Sequence, residues 1–230
     1  MSVNETPDLK DLLAPLKSRL PKSLSGLERF KALYSLIQEE SEEFRLKLQA
    51  LLNRYLLGMD INGASDIDLG GTGCGGRVWY RIHGNKKAWM SGPEMSLTDS
   101  DALLLSVLMP TQFEFLLKHK NLDFSYVLRQ DDKPPRRYRA DMYFDLDNIA
   151  LNMRSISSEI RPFKNLNLHP EVAKALSLKY LKFGLSLVTG ITGSGKSSTL
   201  DTIIDANNRS VDAHIVIISS PIEMVHTPRR

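Results

Sequence analysis

The sequence predicts a mixed α/β protein: a helical N-terminal extension, then an α+β domain, then the opening of a parallel α/β domain. Three observations predict it. Apolar and aromatic residues recur at alternating spacings of four and three from Phe30 to Tyr55. Several segments between Ser65 and Ile156 alternate apolar with polar residues and are rich in aromatic or β-branched types. Near the end of the chain an apolar run, a glycine-rich loop and a helix-forming run follow in that order.

Residues 1–22 carry Pro7, Pro15 and Pro21 and read as irregular or partly helical. From Ser23 to Leu57 the seam Phe30, Tyr34, Ile37, Ser41, Phe44, Leu48, Leu51, Tyr55 predicts one or two amphipathic helices. Leu33, Leu36, Leu46, Leu52 and Leu56 widen the stripe beyond a coiled-coil seam, which favours packing on the next domain over a free interaction helix. Gly58 and Gly63 end this helical region. "SDIDLGG" and "RVWYRIHG" read as strands, with the "GGTGCGGR" stretch as a glycine turn between them. Thr98 and Asp101 suggest a capping box before "ALLLSVLM", and a second helix follows Pro110. "LDFSYVLR", "RYRADMYFD" and "IALNMRSI" read as an antiparallel meander, with "DDKPP" as a turn. Boundaries are expected at 1–57, 58–160, a linker and helix over 161–182, and 183–230. Within the last segment "FGLSLVTG" and "AHIVIISS" read as strands flanking the helix "KSSTLDTIIDANN".

Composition bounds the function. At 42% hydrophobic and 25% charged, the 230 residues match a globular protein, and a net charge of +3 does not by itself call for nucleic acid. One cysteine, Cys74, excludes an internal disulfide and fits a cytoplasmic setting; it is either a reactive loop thiol or a small loop residue. No secretory leader or apolar run of membrane-spanning length is evident, so any link to a membrane is expected through partners. The histidines show no metal-ligand spacing, and the basic "KPPRRYR" reads as a solvated turn.

The glycine-rich loop carries the chemistry. Gly190, Gly195, Lys196 and Ser197 satisfy G-x-x-x-x-G-K-[ST]. Glycines let consecutive backbone N–H groups turn toward phosphate oxygens, and a following helix directs its positive end at them. Residues Gly190, Thr192, Gly193, Ser194, Gly195, Lys196, Ser197 and Ser198 are therefore candidates for holding a nucleotide. Lys196 would neutralise the outer phosphates, and the Ser197 hydroxyl would ligate Mg²⁺.

The order of these pieces resembles the PilT-like twitching-motility ATPases, retraction motors of type IV pili within the type II/IV secretion ATPases. "GASDIDL", "LDFSY", "RYRADMYF", "GLSLVTGITGSGKSSTLDTIIDANN" and "HIVIISSPIEMVH" carry the likeness, from about Gly58 onward. The resemblance implies a PAS-like N-terminal domain, a RecA-like P-loop core, a hexamer, and a pilus platform protein at the inner membrane as partner. It also implies phosphate contacts from Arg139 and Arg154 and a catalytic-site place for Glu223. Guanidinium groups suit that task, since they spread phosphate charge over paired donors.

Two departures qualify these expectations. Ser219 and Ser220 stand where the family has an acidic pair, and hydroxyls are weaker ligands than carboxylates for a hard cation. The family's Walker B and His-box regions are not found in the sequence, so the chain is expected to be catalytically incomplete as it stands. The leading expectation is an ATP-binding portion of a retraction or secretion motor. The alternative is a non-catalytic module that docks on a full-length motor ATPase. A kinase or GTPase is disfavoured, because no guanine-specificity motif follows the loop.

Overall fold

A computed structural model describes residues 8–130, 133–156, 160–191, 194–219 and 224–227. The chain divides into two compact units, 1–155 and 156–230.

The first unit opens with three helices, α1 (Leu9–Arg19), α2 (Gly26–Glu39) and α3 (Glu42–Ile61). Asp8 caps α1 by accepting from the Lys10 N–H at 3.0 Å. Pro15 lies inside α1, where it costs a backbone hydrogen bond, yet Leu9, Leu13 and Leu16 all reach the core and hold the helix in place. The expected seam does not run unbroken. Ser41, placed within it by spacing, instead caps α3 by accepting from the Phe44 N–H at 3.2 Å. The flanking seam residues Phe30, Tyr34, Ile37, Leu48, Leu51 and Tyr55 are buried.

These helices share one apolar core with a six-stranded sheet. Its strands are β1 (Ala64–Gly70), β2 (Trp79–Ile82), β3 (Asn85–Ala88), β4 (Asn121–Gln130), β5 (Lys133–Asp145) and β6 (Asn148–Ile156), in the order β3-β2-β1-β6-β5-β4. Ile67, Leu69, Tyr138, Ala140, Met142 and Met153 point into the core, with Ile67, Leu69, Met142 and Met153 each contributing on the order of 1.5–3 kcal/mol by leaving water. Period-2 alternation sends their neighbours Asp66, Asp68, Arg139 and Arg154 to the opposite face. β3 was not expected from sequence: "NKKA" has no apolar alternation and forms only as the return strand of a hairpin with β2.

Two helices connect the halves of the sheet, α4 (Leu97–Leu105) and α5 (Pro110–His119). The α4 capping box lies two residues earlier than Thr98 and Asp101 suggest. Ser96 accepts from the Asp99 N–H, and Asp99 accepts from the Ser96 N–H. Asp101 is fully buried and accepts from Arg29 Nη1 at 2.8 Å and from the Ile149 N–H at 2.9 Å. It thereby ties α2, α4 and β6 together. Lys133–Pro135 extend β5 rather than forming a turn, and Asp131 and Asp132 lie outside the described residues.

The second unit contains a 3-10 turn (Phe163–Leu166), the short helix α6 (Pro170–Ala175) and α7 (Lys196–Ser210). Asn207 on α7 accepts from the Leu178 N–H at 2.8 Å and donates to the Leu176 and Ile203 carbonyls. The two strands expected here do not form: residues 183–190 and 213–219 hold no strand among the described residues. A strand needs a neighbour for its backbone N–H and C=O groups, and apolar alternation supplies only the propensity. In consequence Phe183 and Ile218 are 90% and 94% exposed, and Leu185, Leu187 and Val216 are exposed too.

Candidate nucleotide-binding site

The candidate site lies where the glycine loop meets α7. Gly195 adopts the left-handed conformation, with φ 87° and ψ 16°, and forms the N-terminal boundary of α7. A residue with Cβ resists that conformation, so the turn from loop into helix depends on glycine here. At the other end of the loop, Gly190 has φ 157°, and a Cβ there would come 2.7 Å from Ser194 Oγ. The Ser194 N–H donates to the Ile191 carbonyl at 3.2 Å and closes the described part of the turn.

Lys196 is the first residue of α7. Its Nζ donates to the Ile191 carbonyl at 2.8 Å, so the ammonium lies folded over the loop itself. Ser197 and Ser198 follow on the first turn and are exposed. The Ser198 carbonyl accepts from Thr202 Oγ1 at 2.7 Å, and the Gly195 carbonyl accepts from the Thr199 N–H at 2.9 Å. Free N–H groups at a helix start, a cation over the loop and exposed hydroxyls make a donor set suited to a polyphosphate with its magnesium ion. Thr192 and Gly193 lie outside the described residues, as do Ser220 and Glu223.

Arg139 and Arg154 belong to the first unit. Arg139 on β5 has Nη2 3.5 Å from Asp123 Oδ1, with both side chains partly exposed. Arg154 on β6 donates from Nε to Asp66 Oδ1 at 2.8 Å. Asp66 also has Arg81 Nε at 3.6 Å and accepts from Ser65 Oγ. Sequence reasoning placed Asp66 only as a strand residue. Its outward position opposite Arg154 in the β1–β6 register was the missing link, and β6 pairs with β1 across a long stretch of chain.

Comparison with known proteins agrees with this architecture. Residues 148–228 match the family model described as type II/IV secretion system protein. The chain is 31% identical over 150 residues to a twitching motility protein of Neisseria gonorrhoeae, covering 65% of this chain and 38% of that one. It is 29% identical over 168 residues to the type IV pilus retractation ATPase PilT of Pseudomonas aeruginosa, covering 73% and 46%. Among solved structures, the pilus retraction motor PilT with bound ADP superposes with a TM-score of 0.66 at 32% identity, over 76% of this chain and 48% of that one. The chain resembles the N-terminal part of a PilT-like motor ATPase. The ATPase DotB of Legionella pneumophila gives a TM-score of 0.54 at 25% identity, over 70% and 44%. The chain spans less than half the length of each of these PilT-like relatives.

Cys74 is half-buried in the glycine turn, and burial, with Asp68 nearby, pushes its thiol up to about 11. That favours the small-loop-residue reading over a reactive thiol. Among the described residues no group of three or more His, Cys, Asp or Glu side chains could hold a metal ion. Among the described residues no helix is long and apolar enough to cross a membrane.

Proposed function

We propose that the chain is the ATP-binding portion of a type IV pilus retraction or type II/IV secretion motor, in which ATP hydrolysis drives pilus disassembly. The observation that carries this reading is Lys196, bonded across the loop to the Ile191 carbonyl at the start of a glycine-bounded helix. A phosphate oxygen would take the place of that carbonyl as acceptor. Residues Gly190–Ser198, Thr192 and Gly193 among them, hold the phosphates through backbone N–H groups, and Lys196 neutralises their charge. Ser197 supplies a hydroxyl to Mg²⁺. By resemblance, Arg139 and Arg154 supply guanidinium groups to the phosphates, and Glu223 serves the catalytic site. Asp66 then acts on Arg154 as a positioning residue. The working assembly is a hexamer or an association with a full-length motor, placed at the inner membrane by a pilus platform protein.

Titration with a fluorescent ATP analogue and Mg²⁺ tests the reading. Saturable binding is expected, weakened by at least about tenfold in Lys196→Ala, which loses a charge-assisted hydrogen bond. Equal binding by the variant sinks it. Hydrolysis by the isolated chain is not part of this proposal.

The exposed apolar residues of 183–190 and 213–219 favour a second reading, a docking module that associates with a full-length motor. Capture of a purified PilT-like hexamer by the chain, with no nucleotide binding of its own, would select it.

A further inference from the structure

A cavity of about 330 Å³ opens within the first unit, beside the glycine turn and on the sheet face that carries Asp66 and Asp68. Its volume is at the lower end of the range for small-molecule sites. Asp68, Cys74, Trp79, Lys86, Tyr143 and Asp145 line it. None of these belongs to the candidate phosphate site.

The charges of this lining do not balance. Asp68 and Asp145 face Lys86 alone. Asp145 is already engaged, accepting from Thr72 Oγ1 at 2.7 Å and from the Gly73 N–H at 3.1 Å. Asp68 is only 9% exposed; its Oδ1 accepts from Asn152 Nδ2 at 2.8 Å. Its Oδ2 is buried and lies 2.9 Å from Lys86 Nζ, yet out of hydrogen-bonding alignment with it. The Lys86 ammonium thus balances Asp68 Oδ2 by charge alone, and a ligand N–H that reaches this oxygen in line adds the hydrogen bond that the contact lacks. Lys86 itself sits on the exposed β3 hairpin, so it can swing away into water. Trp79 and Tyr143 add aromatic surface of the kind that attracts organic cations.

We propose that this cavity binds a small organic cation whose ammonium or guanidinium N–H groups bond Asp68 Oδ2, displacing Lys86. The negative field reaches the neighbours as well. Burial first, and then Asp68, Cys74 and Asp145, raise the Tyr143 hydroxyl above its usual range.

The test uses the two tryptophans of the full chain. Trp79 Nε1–H donates to the Cys74 carbonyl at 2.9 Å and so reports on the cavity, whereas Trp89 packs against Tyr55 and Tyr80. Butylguanidinium and butylammonium are titrated into ¹⁵N-labelled protein, with uncharged butylurea as control, and Trp89→Phe assigns the indole signals. Saturable movement of the Trp79 signal is expected with one or both cations and not with butylurea. Asp68→Asn should weaken the response by at least about tenfold. Lys86→Ala should strengthen it several-fold, because the competing internal cation is gone. An unmoved Trp79 signal, an equal response to butylurea, or weaker binding by Lys86→Ala overturns the proposal. Lys86 is exposed, so that variant carries the test even if Asp68→Asn fails to fold.

Discussion

Arg154 Nε stands 2.8 Å from Asp66 Oδ1 across the β1–β6 pairing, and the two residues differ sharply in burial. Asp66 is buried, while the Arg154 side chain is 65% exposed. Removing the arginine therefore strands a buried carboxylate oxygen, whereas removing the carboxylate leaves arginines that can turn to water. Arg154→Ala should lower unfolding free energy by about 1–3 kcal/mol and Asp66→Asn by less. Urea unfolding of both variants measures the order. If Asp66→Asn costs more, Arg154 is not what satisfies the buried acid.

This asymmetry also governs how activity data should be read. Under the proposed function, loss of nucleotide affinity in Arg154→Ala would mix the proposed phosphate contact with a disturbed β1–β6 pair. Asp66→Asn keeps the guanidinium and removes only its anchor.

A second carboxylate carries a pH signature. Burial tends to raise the Asp99 carboxyl, but Lys17 Nζ at 2.7 Å and the Ser96 hydroxyl and N–H outweigh burial and hold it below its ordinary 3.8. A depressed folded-state value means the stabilisation is present above about pH 4 and is lost as pH falls through the lower, folded value. The stability gap between wild type and Asp99→Asn should thus be widest near neutrality and close in acid. Asp101 opposes this trend, because burial raises it despite Arg29 and the Ile149 N–H; its ionisation weakens the fold as pH rises through its raised value. Chemical unfolding across pH 2–7, compared with Asp99→Asn, checks the sign. A gap that widens toward acid contradicts it.

Cys74 should be a slow thiol. With its ionisation pushed up to about 11, only a very small thiolate fraction exists at neutral pH. Alkylation by iodoacetamide should run about a hundredfold slower than for a free cysteine with its pKa near 8.5. Denaturant should restore the ordinary rate. Fast labelling of the folded chain would place Cys74 outside the acidic, half-buried setting described here.

The first unit was legible because its signals are local. Alternation in "RYRADMYFD" and the stop at Gly63 each act within a few residues, whereas the cap at Ser41 was hidden because its spacing also fits the seam. What escaped depends on partners distant in sequence. β3 exists only against β2, Asp101 is recruited by Arg29 and Ile149, and Asp66 meets Arg154 through strand pairing alone. The turn from glycine loop into α7 was equally legible, since Gly190, Gly195 and Lys196 need only their own turn. The two strands expected beside it were not realised, because periodicity cannot supply a hydrogen-bonding neighbour.

Those two segments make the last prediction. Leu185, Leu187, Val216 and Ile218 have the alternation of sheet residues yet stand in water, beside backbone that makes no strand pairs among the described residues. Such a surface associates unless something covers it. The purified chain should show concentration-dependent association by light scattering. Leu185→Ser with Ile218→Ser should reduce it, while the unfolding midpoint of the first unit stays in place, since neither residue belongs to that core. Association that persists unchanged in the double variant would move the contact elsewhere, with the exposed seam of the first unit, around Leu46 and Ile61, as the next surface to alter.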